Sequence, residues 1–200
     1  MNKSKLATQR HLDDVRRDLA DAIPTQDGRK MWPLNPRIED IDIRDIAMSL
    51  SGKARWGGFT RPPYYVSQHS VLVAQVLPSH LQLWGLLHDA GEAYLPDIPR
   101  PIKRRYPELV AAEERILKLV AERYELVWPM PAEVHEADDL LLVTEARDLM
   151  HATDHAGIWS NLPRMRPLQI TIEPWSFVRA ESEFLAAFKR LYKQAPDEPE

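Results

Sequence analysis

Apolar residues recur along most of the chain at spacings of three and four, the period of an α-helix with one buried face. Proline- and glycine-containing breaks separate the segments that carry this pattern. The pattern predicts helices over residues 1–23, 43–51, 66–77, 79–95, 108–126, 132–150 and 174–194. Alternation typical of a strand occurs weakly, in "LQITIEP" (168–174). We therefore predict an all-α fold, a bundle of six or seven helices.

Breaks in the helical pattern also predict the domain boundaries and one long loop. "PTQDG" (24–28) ends the first, largely polar helix, so we predict a helical extension over residues 1–30 and the main domain over 31–194. Residues 195–200 are predicted to be a disordered acidic tail. "PDIPRPIKRRYP" (96–107) contains too many prolines for a helix interior and is predicted to be a loop.

Composition and charge narrow the function classes. With a net charge of −4 and a pI near 6.0, the chain is a poor candidate for binding a nucleic-acid polymer. It has no cysteine, so a metal site would have to use His, Asp and Glu side chains. We find no apolar stretch of 18 residues and no signal-peptide pattern at the N-terminus, so we expect a cytoplasmic protein with no membrane partner.

The stretch "LLHDAGE" (86–92) places His88 and Asp89 side by side within an apolar run. His69 lies in a second apolar segment, and Asp138 begins a third. Each could be a hydrogen-bonded core residue, because buried polar groups need partners. One divalent cation would satisfy all four together. Imidazole and carboxylate ligands suit Co, Mn, Zn, Ni or Fe, and Mg is a further candidate.

The order His69, His88-Asp89, Asp138 resembles the H…HD…D signature of the HD-domain metal-dependent phosphohydrolases. The resemblance extends from about Trp32 to Met150. It implies an all-α HD-domain bundle in which these four residues bind the metal. Asp138 matches the signature better than its neighbour Asp139.

Three motifs narrow the resemblance to the compact 5′-deoxynucleotidase branch, which includes small deoxynucleoside triphosphate triphosphohydrolases. They are "RW" (55–56), "HDAGE" (88–92) and "PDIPRPIK" (96–103). The resemblance implies that Glu92 positions or activates the attacking water and that Asp97 acts near the leaving group. It also implies nucleotide contacts from Arg55, Trp56 and Lys103. The chain departs from the branch at Pro96, where glycine is common, and over residues 1–30.

Several of these residues have simpler interpretations. Glu92 could be an ordinary exposed helix glutamate, Trp56 a core residue, and Arg104 and Arg105 solvated cations. Members of the branch pair through helices, and the amphipathic segments 108–126 and 176–193 could do the same, so we expect a homo-oligomer.

The reaction expected from the resemblance is attack of an activated water on the α-phosphorus of a 5′-nucleotide. A monophosphate would release phosphate, and a triphosphate would release triphosphate. The predicted ligands do not separate these two substrates. Other HD chemistries, including cyclic-nucleotide and alarmone hydrolysis and oxygenation, have weaker support in a chain of 200 residues. A non-catalytic protein that binds metal or nucleotide is the alternative from another class.

Overall fold

A computed structural model describes residues 19–150 and 162–192. Within these ranges the chain forms seven α-helices, which confirms the all-α prediction: α1 (Ile43–Gly52), α2 (Val66–Val76), α3 (Gln82–Leu87), α4 (Arg100–Lys103), α5 (Pro107–Arg123), α6 (Ala132–Leu149) and α7 (Phe177–Tyr192). Short 3₁₀ turns join or flank them: Leu19–Asp21, Ile38–Asp40, Trp56–Gly58, Ser79–Leu81 and Ala90–Ala93. None of the described helices combines the length and the apolar character needed to cross a lipid bilayer.

A two-stranded antiparallel hairpin precedes the helices. Strand β1 (Ile23–Pro24) pairs with β2 (Lys30–Met31), with Ile23 opposite Met31. The prediction of a helix up to residue 23 is therefore wrong at its end, while residues 1–18 lie outside the described residues. The predicted boundary at residue 30 falls inside β2, and the predicted tail (195–200) lies outside the described ranges. The division into domains stays a prediction.

Helix α2 is the centre of the bundle and packs against α1, α3, α6 and α7. Most of its side chains are buried, and its polar residues 67–70 are therefore shielded from solvent. Two apolar clusters surround it. The larger joins α1, α3, α5 and α7, and the smaller packs α6 against α2 and α3. This arrangement carries His69 of α2 into the interior, next to the end of α3.

A weak strand pattern and a predicted loop both have outcomes that the contacts explain. Residues 168–174 form no strand, because side chains of α6 bind their backbone: Arg147 donates to the carbonyl of Leu168 (2.7 Å), and Asp148 accepts from the amide of Ile172 (2.9 Å). The proline-rich segment 96–107 does contain one helical turn, α4. Its proline lies at the start of that turn, where no intrahelical amide donor is required.

The crossing of α2 and α3 depends on Gly85. A Cβ added there would lie 2.6 Å from Cδ1 of Leu77 and 2.9 Å from Cα of Ala74. We expect Gly85→Ala to lower the free energy of unfolding by about 1–3 kcal/mol, because backbone and side chain must move to admit it. Urea denaturation measures this change. Gly52→Ala is the matched control, since its nearest new contact is 3.8 Å away, and equal midpoints for the two variants would contradict the close packing.

Candidate metal centre

The continuous helix predicted over residues 79–95 is broken at the proposed site. Helix α3 ends at Leu87, His88 caps it, and Asp89 leaves the helical conformation with φ −97° and ψ 12°. The Lys53 ammonium stabilises the turn that follows by donating to the carbonyls of Glu92, Ala93 and Leu95. Because the break rotates the chain at Asp89, neighbouring residues 88 and 89 can both face the same site.

Three predicted ligands come together between α2, α3 and α6. His69 Nε2 lies 3.3 Å from His88 Nε2 and 3.1 Å from Oδ1 of Asp138. The two histidines are buried, and one ligand atom from each of the three residues lies within 4.8 Å of the others. These residues could therefore hold a metal ion. The fourth, Asp89, lies at the edge, with Oδ2 3.3 Å from His88 Nε2 and 3.9 Å from His69 Nε2.

The other nitrogen of each imidazole is already engaged. His69 Nδ1 donates to Oε1 of Glu145 at 2.5 Å, and His88 Nδ1 donates to the carbonyl of Gly85 at 2.8 Å. A carbonyl and an ionised carboxylate can only accept, so both protons belong on Nδ1. In the neutral imidazoles the Nε2 lone pairs then face each other at 3.3 Å. Such a pair needs a proton or a cation between its members.

The charges at this site are strongly coupled. Burial lowers the pKa of His88, but the Asp89 carboxylate outweighs it and raises this pKa to about 9. Burial likewise raises the pKa of Asp138, but its hydrogen bond to His69 and the charges of the two histidines hold it well below its usual value. The carboxylates are therefore ionised, and they stabilise positive charge on the His88 imidazole. A divalent cation would replace that positive charge.

Glu92 lies in the turn just beyond Asp89 and is 6% exposed, so it is not an ordinary surface glutamate. Nζ of Lys103 lies 3.3 Å from Oε1 of Glu92. Oε2 of Glu92 is buried and has no hydrogen-bond partner among the described residues. Burial, with the charges of Asp89 and Asp97, raises the pKa of Glu92 to about 9. Burial also raises the pKa of Asp97. Lys103 also forms an ion pair with Glu113.

Arg55 and Trp56 reach the same site from the loop before α2. Arg55 places NH1 3.5 Å from Asp89 Oδ2 and NH2 3.8 Å from Asp138 Oδ1. Its Nε donates to Oε2 of Glu145 (3.1 Å), and the Trp56 indole N–H donates to the same oxygen (3.0 Å). The structure therefore brings together all the predicted site residues except Asp97, which interacts with them through charge.

Sequence reasoning missed two residues that contact the site, Glu145 and Lys53, and singled out Arg100 only as one of several nearby cations for phosphate. Glu145 follows Asp138 by seven positions, which places both on one face of α6. A carboxylate two helical turns beyond a proposed ligand, within an apolar helix, was the available signal. Arg100 donates to Asp138 and, at 2.7 Å, to Asp139. Only the fold reveals the contacts of Arg100 and Lys53.

Comparison with known proteins finds a relative in Escherichia coli K12, the uncharacterized protein YfdR. It is 39% identical over 137 residues, which make up 68% of this chain and 76% of YfdR. The chain belongs to the YfdR family. This YfdR-family chain is also 36% identical over 123 residues to an uncharacterized protein of Rhodobacter capsulatus, covering 55% of the chain and 61% of that relative.

A more distant relative of the YfdR-family chain is named after an enzymatic activity. A protein of Vibrio atlanticus named 5′-deoxynucleotidase is 23% identical over 101 residues, which make up 46% of the chain and 48% of that protein. A search against protein-family models finds no match.

Proposed function

We propose that the protein is a metal-dependent phosphohydrolase that cleaves 5′-deoxynucleotides to the nucleoside and inorganic phosphate. The observation that carries the proposal is the pair of imidazole Nε2 atoms 3.3 Å apart, with Asp138 3.1 Å from one of them and both Nδ1 atoms engaged. The distant relative named 5′-deoxynucleotidase supports the substrate class. The H…HD…D resemblance of the sequence agrees with both.

The residues present fit a divalent metal. His69, His88 and Asp138 would hold it, with Asp89 at the edge, and these nitrogen and oxygen donors suit Mn, Fe, Co, Ni or Zn. When bound, the ion polarises a phosphoryl oxygen and lowers the pKa of a coordinated water. Acidic groups outnumber basic ones around the site, which also favours a cation there.

Phosphate binding is assigned to Arg55. Glu145 engages its Nε, so the two terminal nitrogens are directed towards Asp89 and Asp138 at the proposed metal position. The two terminal nitrogens of a planar guanidinium suit bidentate contact with phosphoryl oxygens. Trp56, whose indole N–H donates to the same carboxylate, is assigned to contact the nucleoside, and Lys103 supplies a second positive charge beside Glu92.

Proton transfer is assigned to the two remaining carboxyl groups. A cation bound at His69, His88 and Asp138 would offset the negative charge of Asp89 and lower the pKa of Glu92. Ionised Glu92, whose Oε2 has no partner among the described residues, would then accept a proton from the attacking water. The water oxygen bonds to the α-phosphorus, and the bond from phosphorus to the 5′-oxygen breaks. That oxygen takes a proton, which Asp97 is assigned to supply, because burial raises its pKa. The products are nucleoside and phosphate.

A triphosphohydrolase is the second candidate, favoured by the basic helix α4 and the residues after it. Arg100, Arg104 and Arg105 are exposed next to the site. These cations could bind a longer phosphate chain, and the same attack on a triphosphate would release triphosphate.

The test is an assay with protein stripped by a chelator and reloaded with Mn²⁺, Co²⁺, Zn²⁺ or Mg²⁺. Deoxynucleoside mono- and triphosphates are offered separately, and phosphate and triphosphate are measured. We expect metal-dependent phosphate release from the monophosphates. Triphosphate release would favour the second candidate. Metal and nucleotide binding without either product would contradict both and favour the non-catalytic alternative.

A further inference from the structure

Glu145 is a fully buried carboxylate with three donors on its two oxygens. His69 binds Oε1, and Arg55 and Trp56 both bind Oε2. The side chain is 0% exposed, and each of its two oxygens accepts at least one hydrogen bond. A buried charge of this kind is costly unless several donors satisfy it. The hydrogen bonds from these three donors therefore offset the cost of burying the Glu145 carboxylate.

The contact with His69 decides which ring nitrogen faces the site. An ionised carboxylate only accepts, so it places the proton of His69 on Nδ1 and leaves the Nε2 lone pair directed at His88 and Asp138. A carboxylate behind a metal-binding imidazole also fixes the ring and raises its basicity.

The contacts with the loop hold a strained backbone in place. Trp56 has φ +57°, and Gly57 and Gly58 follow at +60° and +78°. The two glycines adopt such angles freely, but for tryptophan the left-handed region costs about 1–2 kcal/mol. Strain of this size persists where surrounding contacts determine the conformation. The indole N–H bonded to Glu145 at 3.0 Å is such a contact.

Building on the proposed function, we propose that Glu145 is a positioning residue that couples the metal ligand His69 to the substrate loop Arg55–Trp56. The Glu145 carboxylate orients both the His69 ring, which would bind the metal, and the Arg55 guanidinium, which would bind phosphate. Without this anion, the ion-pair partners of Arg55 among the described residues are Asp89 and Asp138, and both are proposed metal ligands. Arg55 would then compete with the metal for them.

The test compares Glu145→Gln with the wild type by Co²⁺ titration, in which the visible absorption spectrum reports the ligand geometry and competition with a chelator gives the affinity. We expect the Co²⁺ affinity to fall about 10- to 100-fold and the spectrum to change. With Co²⁺ saturating, the KM for a deoxynucleoside monophosphate should also rise. Asp148→Asn is the matched control, because this carboxylate of α6 binds Arg147 and Ile172 instead. We expect its Co²⁺ affinity and KM to equal those of the wild type.

Trp56→Phe tests the contact of Glu145 with the loop separately from its contact with His69, because the substitution removes the indole N–H and keeps an aromatic ring. We expect a higher KM at unchanged Co²⁺ affinity. A wild-type Co²⁺ affinity and spectrum in Glu145→Gln would overturn the proposal. If that variant does not fold, Glu145→Asp is judged by the same criteria. A wild-type protein that binds Co²⁺ without hydrolysing nucleotides would refute the proposed function, while the Co²⁺ titrations would still decide the role of Glu145.

Discussion

Replacing Asp138 with asparagine is expected to abolish hydrolysis and to lower the Co²⁺ affinity by at least about 100-fold. This loss of affinity is larger than the loss expected when a residue that only hydrogen-bonds to a metal ligand is replaced. Oδ1 of Asp138 lies 3.1 Å from Nε2 of His69, so the substitution removes negative charge where the proposed ligand atoms converge. Asparagine keeps the shape of the side chain. Chelator competition with Co²⁺ and product release from a deoxynucleoside monophosphate measure the two effects.

Asp139→Asn is the matched control for that experiment. Asp139 is the next residue, also carries a carboxylate, and pairs with Arg100 at 2.7 Å, where both side chains are partly exposed. A pair of this kind contributes about 0–1 kcal/mol. Co²⁺ affinity and turnover should therefore remain at the wild-type level. Loss of metal in Asp139→Asn with retention in Asp138→Asn would reverse the ligand assignment.

Glu92→Gln is expected to lower kcat by about 10²- to 10⁴-fold, the usual contribution of a positioned general base, while the protein keeps its metal. Oε2 of Glu92 has no hydrogen-bond partner among the described residues, and the amide would offer no comparable proton acceptor. Because the residue acts on the water, KM should change little. Steady-state kinetics and the Co²⁺ spectrum, recorded on the same preparation, separate these effects.

Glu114→Gln, on an exposed position of α5, controls for the loss of a nearby glutamate charge and should leave kcat unchanged. If Glu92→Gln loses Co²⁺ as completely as Asp138→Asn, Glu92 supports the ligands instead of taking the proton. In that case the proposed role of Glu92 would be refuted, and the assignment of the metal ligands would stand.

The helical fold was predictable because apolar periodicity is a local property of the chain. The same reasoning singled out His69, His88 and Asp138, since polar residues within apolar helices are unusual enough to need an explanation. The break after Leu87 was not predictable in this way. The turn that follows the break is held by an ammonium group from Lys53, some forty residues away in sequence, which donates to the carbonyls of Ala93 and Leu95.

The weak strand pattern at 168–174 produces no strand for a similar reason, because the partners of this segment lie elsewhere in the chain. Its alternation is that of a strand, but its backbone partners are the side chains of Arg147 and Asp148 instead of a neighbouring strand. Glu145 was missed because its significance lies in three donors from two other segments. The proposed metal ligands can thus be recognised in sequence as polar residues within apolar helices, whereas the contacts that orient them are visible only in the fold.

Asp138 and Glu145 lie on the same helix, α6, with no loop between them, so the helix alone sets their separation. Seven residues advance an α-helix by about 10.5 Å and return to nearly the same face, and one residue added or removed turns that face by about 100°. A single-residue insertion or deletion between the two would therefore carry one of them away from His69. This part of the chain can vary in its side chains but is constrained in its length.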